Sequence, residues 1–210
     1  MSERGCLLPG PNGWTAPRRA LLRLALLALV WGLGAGMLPA RAQGDVAVLL
    51  SQPTVQVPPT LDPADVARQS VALHEESGGS TVSLYFGDLA GQRLYVVDLF
   101  PERERVVPGT AIPVALVEQF IADNRDLLTD PRNTVGTYFD DATGNSYVNV
   151  STALPDRDQA VALARRHNQQ FVFDLGTMGP IPTGGTGEAP AELPPLDQRL
   201  PPLAVEAAPR

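Results

Sequence analysis

Residues 81–91, Thr-Val-Ser-Leu-Tyr-Phe-Gly-Asp-Leu-Ala-Gly, align without a gap to residues 134–144, Thr-Val-Gly-Thr-Tyr-Phe-Asp-Asp-Ala-Thr-Gly. The two blocks share Thr, Val, Tyr, Phe, Asp and Gly in the same order, which is the mark of an internal repeat. In the first block Val82, Leu84 and Phe86 alternate with Thr81, Ser83 and Tyr85, the period of a strand with one buried face. Each block closes on a turn ending in glycine, Gly91 or Gly144. Each then runs into a second strand-like stretch, Arg93 to Leu99 or Ser146 to Ser151. Two antiparallel hairpins are the expectation.

A helical segment follows each hairpin. Val114 to Leu128 places Val117, Phe120, Ile121, Asn124 and Leu128 at helical spacing. The second helix is capped by Asp156, with Gln159 three residues on, and presents Ala160, Leu163 and Ala164 on one face. Gln170 to Leu175 reads as a fifth strand. The order β-β-α-β-β-α-β predicts an α+β fold: a tandem ββα repeat with a mostly antiparallel sheet and helices packed on one face. All ten aromatic residues beyond the leader fall between Tyr85 and Phe173, so the domain is bounded at about 80–175.

The run Gly136-Thr-Tyr-Phe-Asp140, Thr143-Gly144, Tyr147-Val-Asn-Val-Ser151, Asn168-Gln169, Phe173-Asp-Leu175 and Ile181-Pro-Thr-Gly-Gly-Thr-Gly187 resembles a small ββαβ module of phage-derived and other bacterial proteins. The resemblance covers roughly residues 134–187 and implies the fold of that stretch rather than an activity. The module often carries an acidic residue where Asn149 stands here, and it supplies no catalytic residue.

Outside this core, residues 1–42 read as a signal peptide. Arg18, Arg19 and Arg23 precede an uncharged apolar run from Leu24 to Leu38, and Ala40-Arg41-Ala42 forms an A-x-A cleavage site. The other reading is a retained anchor; glycines 32, 34 and 36 and Pro39 near the end of the run favour cleavage. Arg18-Arg19 also resembles a twin-arginine export signal, and the strongly apolar run favours the general route. Either route predicts a periplasmic or secreted protein with no stable membrane span after cleavage. The lone Cys6 and both tryptophans belong to the leader, so the mature chain has no disulfide and no thiol nucleophile.

Residues 43–79 read as a linker containing a short amphipathic helix that starts at Asp62-Pro63, carries Val66, Ser70 and Leu73 on one face, and stops at Gly78-Gly79. Residues 176–210 hold eight prolines, five glycines, no aromatic residue, and a duplicated Leu-Pro-Pro-Leu at 193–196 and 200–203. Such a composition predicts a disordered tail of polyproline character.

The chemistry is defined mostly by exclusion. The formal charge of −7 hides a mature chain with 11 arginines, no lysine and 22 acids, a net charge of −11 that speaks against nucleic acid as a partner. His74 and His167 lie far apart with no cysteine, so both are expected in structural roles and no metal site is expected. Asp140, Asp141 and Asn145 lack calcium-loop spacing and suit a hairpin turn. Thr183 to Gly187 is glycine-rich but lacks the lysine and the following helix of a phosphate loop, so it reads as a flexible linker, and no cofactor is expected.

Two functions remain. In the first, the protein is an exported non-catalytic interaction module for an envelope or extracellular protein, peptide or glycan, with Tyr85 and Tyr138 as a paired aromatic surface. In the second it is a periplasmic hydrolase, or an accessory to one, that uses strand-end carboxylates, with Asp98 and Asp174 as the pair.

Overall fold

Val82 and Val135, the equivalent valines of the two aligned blocks, lie directly opposite one another in a computed structural model that describes residues 45–188, 190, 192–200 and 202–207. The leader expected over residues 1–42 lies outside the described residues. Val82 belongs to β2 (Gly79–Ser83) and Val135 to β6 (Asn133–Asp140), which pair antiparallel. Before them come α1 (Val46–Leu50), β1 (Thr54–Val57) and α2 (Pro63–Ser77). Between them come β3 (Gly87–Asp88), β4 (Tyr95–Val97), β5 (Arg105–Pro108), α3 (Val114–Asp123) and α4 (Arg125–Leu128). After them the chain forms β7 (Asn145–Leu154), α5 (Arg157–Arg166), β8 (Phe171–Asp174), β9 (Gly179–Pro182), α6 (Leu196–Arg199) and β10 (Ala204–Ala207).

The architecture is α+β. Eight strands form an antiparallel sheet in the order β3-β2-β6-β7-β4-β8-β9, and β5 pairs with β7 alongside β4. Alternation along β7 divides the sheet into two faces. Val148 and Val150, with Val82, Val97, Val135 and Val172, meet Val66 and Val71 of α2, Phe120 and Ile121 of α3, and Leu163 of α5 in the main core. The opposite face is covered at one end by a second core, in which Val46, Leu50 and Val55 pack on Leu89, Leu94, Ala153 and Leu175. No helix among the described residues is long and apolar enough to cross a membrane.

The helix starts follow their local signals. The Asp62 carboxylate accepts from the Ala64 N–H ahead of α2, and Asp156 accepts from the Gln159 N–H at 2.7 Å ahead of α5. Gly78 ends α2 in the left-handed conformation, at φ +79°. Continuous helix was expected from Val114 to Leu128, but it breaks at buried Asn124. That amide side chain donates to the Phe120 carbonyl at 2.8 Å and competes with the backbone for it.

The two expected hairpins are not alike. β6 and β7 form one, in register from Asn133 opposite Thr152 to Asp140 opposite Asn145, around a turn that Gly144 closes at φ +69°. The first block does not form its partner. The Ser83 hydroxyl accepts from the Tyr85 and Phe86 N–H groups and turns the chain there, so β2 ends and only the two residues of β3 fold back on it. The stretch 93–99 supplies β4, which inserts between β7 and β8 instead.

The tail departs from the disorder expected of residues 176–210. Pro180 and Pro182 sit in the edge strand β9, two residues apart. The Thr183 N–H bonds the Gln170 carbonyl, which continues the ladder so that residues 179 and 181 face β8 while both prolines face outward. A spacing of two therefore puts the missing N–H groups where no ladder needs them, and it strips the open edge of donors. Farther on, Arg199 and Leu200 are buried and β10 pairs parallel with β1. Composition alone cannot show that one arginine and three leucines find sites on the domain.

Replacing Pro180 and Pro182 together by valine restores two outward N–H donors on β9. The variant should keep its stability to within about 0.5 kcal/mol, as surface changes do. It should associate edge to edge at concentrations where the natural chain does not, which light scattering will detect.

Candidate functional site

Odd-numbered residues of β7 project away from α2, α3 and α5. Tyr147, Asn149 and Ser151 share that face with Gly136 and Tyr138 of β6, which stand opposite Asn149 and Tyr147. The Tyr138 and Tyr147 rings stack with centroids 4.6 Å apart and planes 4° from parallel. At Gly136 a side chain is excluded, because a Cβ there would overlap the Asn149 Oδ1 and come within 2.6 Å of the Ser151 Oγ. Ser151 in turn donates to Asn149 Oδ1 at 3.1 Å.

Two carboxyl groups converge on this face from the segment between β4 and β5. Asp98, just past β4, accepts from the Phe100 N–H at 3.0 Å and from the Asn149 side chain. Its own backbone is matched by the Gln169 amide, which accepts from the Asp98 N–H at 3.2 Å and donates to the Asp98 carbonyl. Glu104, which precedes β5, faces the Tyr138 hydroxyl at 3.4 Å.

Both acids are costly to ionise. Burial pushes Asp98 up to about 6, helped by the neighbouring Glu102 and opposed by the Phe100 and Asn149 hydrogen bonds and by Arg199. Burial, then the charge of Asp98, pushes Glu104 up to about 8, opposed by the Tyr138 hydroxyl. Burial and the same two acids hold the Tyr138 phenol far above its usual range. At neutral pH the face therefore carries a proton on Glu104, beside an Asp98 that is more readily ionised. Such a pair can exchange protons with a bound group, or release one to a cation that takes its place.

The residues singled out from sequence are distributed differently. Tyr138 is on this face, but its partner is Tyr147. Tyr85 lies in the turn after β2, beside Phe86, and donates its hydroxyl to the Thr129 carbonyl at 2.9 Å, so the two tyrosines form no pair. Asp98 is in the site and Asp174 is not. Asp174 stands opposite Tyr95, three residues along β4 from Asp98, and caps its own turn by accepting from the Gly176 and Thr177 N–H groups. Glu104, Tyr147 and the amides of Asn149 and Gln169 complete the site. Nothing local in the sequence marks them as neighbours.

His74 comes close to Ser146 but does not activate it. The buried ring has Nε2 3.2 Å from the Thr110 carbonyl and 3.0 Å from Ser146 Oγ, and Nδ1 3.1 Å from Thr137 Oγ1. A carbonyl can only accept, so Nε2 carries the proton. Ser146 gives its own proton to the Gly109 carbonyl at 2.8 Å. Burial lowers the His74 pKa, so the ring stays a neutral tie between α2 and the β6–β7 hairpin.

Asp140 accepts from the Ala142 N–H and the Thr143 hydroxyl as a turn residue. No group of three or more His, Cys, Asp or Glu side chains suited to a metal occurs among the described residues. The Thr183–Gly187 loop is not a free linker. Asn168 bonds the Thr186 N–H at 3.0 Å and the Gly187 N–H reaches the Asn168 carbonyl at 2.8 Å, so these amides are spent within the chain and not held open for an anion.

No family model, curated protein or solved structure matches this chain.

Two outcomes test the site. Both folded-state carboxyl values lie above the ordinary ones, so their stabilising contribution is complete below about pH 4 and is lost as pH rises, through about 6 for Asp98 and about 8 for Glu104. The melting temperature should fall between pH 5 and 8, and Glu104→Gln should remove most of the slope above pH 6. After solvent screening is allowed for, that variant should gain on the order of 1 kcal/mol at pH 8. Gly136→Ala should lose about 1–3 kcal/mol, because Asn149 and Ser151 must give way, as measured by urea unfolding.

Proposed function

We propose that the protein is an exported, non-catalytic interaction module, carried out of the cytoplasm by its leader and grown from a duplicated strand–turn block. Its ligand is an envelope or extracellular protein, peptide or glycan. The observation that carries this reading is the face itself: a stacked tyrosine pair beside two carboxyl groups that burial keeps costly to ionise, on the side of the sheet away from α2, α3 and α5. A fold that needed only to cover this face would place apolar side chains there, as it does at Ala153 in the second core. Aromatic rings with few, placed polar groups are the composition of recognition surfaces. The tyrosine surface is thus Tyr138 with Tyr147, in place of Tyr138 with Tyr85.

A second reading rests on the same acids. Asp98 and Glu104 hold protons with different strength, as an acid–base hydrolase requires, so this pair takes the part expected of Asp98 and Asp174.

The test compares tagged mature protein with Tyr138→Ser, Glu104→Gln and Tyr85→Ser variants, each shown by melting to be folded. Cross-linked partners from the envelope fraction should be lost with Tyr138→Ser and Glu104→Gln and kept with Tyr85→Ser. An unchanged partner set in all three would reject the face. Cleavage of an envelope glycan or peptide that Asp98→Asn abolishes and Asp174→Asn leaves intact would favour the hydrolase.

A further inference from the structure

The C-terminal segment lies across the domain as a strap, and one side chain in it is held from several sides. Arg199 is 7% exposed. Its Nη1 donates to the Leu99 carbonyl at 2.7 Å and to both Glu102 oxygens at 2.7 and 2.9 Å. Its Nε donates to Pro194 within the strap at 2.8 Å, and its guanidinium carbon lies 5.6 Å from the centre of the Phe100 ring. A backbone carbonyl, a carboxylate and an aromatic ring around one planar cation make a receptor for arginine, one that the compact ammonium of lysine fits poorly. Leu200 enters the main core and Leu196 packs against it, one from each Leu-Pro-Pro-Leu copy.

The strap does not fill the place it occupies. A cavity of about 350 Å³ remains between Leu196, Leu200 and Pro202 on one side and Phe100, Leu127 and Asn133 on the other. Nearby His167, buried and within reach of the Arg199 charge, keeps its Nδ1 without a hydrogen-bond partner. Past the arginine, the strap is tied down by β10, whose ladder with β1 has two strands and no third among the described residues. A two-stranded pair of this length is marginal by itself.

We propose that this groove is a peptide-docking site, that residues 193–200 with Pro202 and Leu203 are its resident and displaceable occupant, and that its external partner is an extended proline-rich segment presenting an arginine between leucines. The inference does not rest on the tyrosine–carboxyl face, which lies on other residues. The partner's chemistry is that of the segment already seated: a guanidinium for Glu102, Leu99 and Phe100, and flanking leucines for the apolar floor.

The test uses the full chain in two vacated forms. One carries Arg199→Ala. The other has a protease site inserted between Glu192 and Leu193 and is cut after purification and separated from the excised segment by dialysis in mild denaturant, which serves if the first variant does not fold. The probe is a fluorescein-labelled peptide of residues 192–207, read by anisotropy. Saturable binding is expected to both vacated forms, at least about tenfold tighter than to the intact natural chain, and weakened about tenfold by Arg199→Lys in the peptide or Glu102→Gln in the chain. The proposal is overturned if the cut chain keeps its melting transition and binds no peptide, or if a peptide with Arg199→Ala binds equally well. Concentration-dependent dimers of the natural chain that the peptide dissolves would also overturn it, by giving the groove to a second copy.

Discussion

The register of β7 is the constraint on which the rest depends. Its ten residues pair with β6 along one edge and with β5 and then β4 along the other. Because side chains alternate, this one register sends Val148 and Val150 to the helices, Tyr147, Asn149 and Ser151 to the polar face, and Ala153 to the second core. A slip of one residue would exchange all three destinations. Gly136 opposes such a slip, since only a residue without a side chain fits against Asn149 and Ser151 at that point.

The polar face is the place where the fold works against its own stability. Gln169 satisfies the Asp98 backbone and Asn149 reaches its carboxylate, yet burial makes both acids costly to ionise, and the charge of Asp98 adds to the cost at Glu104. Several buried polar groups elsewhere are matched in closed sets: His74 with Thr137, Ser146 and Thr110, or Asn133 with Leu127 and Thr152. Those sets join neutral groups, whereas burial raises the pKa of the two acids on the polar face.

Local signals were legible in the sequence where one residue decides one event. Asp62, Gly78 and Asp156 placed helix ends, and the match of residues 134–144 to the first block, with its closing Gly144 and the strand-like stretch after it, placed the hairpin that organises the sheet. Most of the failures are non-local, and one is a local hydroxyl that overrides a strand pattern. The run from Thr81 to Phe86 alternates like a strand, but the Ser83 hydroxyl turns it. The 93–99 stretch reads as that strand's partner, yet β7 offers it a longer edge. The tail was judged on average composition, whereas its order comes from the two-residue spacing of Pro180 and Pro182 and from the sites that receive Arg199 and Leu200. In the site, Tyr138 and Asp98 stood out by residue type. Glu104 and Tyr147 did not, because their role comes from a register and a connection that place them beside those two.

The parallel pairing of β1 with β10 has a mechanical consequence. The two strands run in the same direction, so the chain enters β1 at one end of the pair and leaves β10 at the other. A pull between the start of the domain and its C-terminal end would load these hydrogen bonds together, in shear, instead of peeling them one at a time. If the leader were kept as an anchor and a partner held the other end, this short ladder would be the first element to bear tension, and the strap beneath it would be released only after it failed.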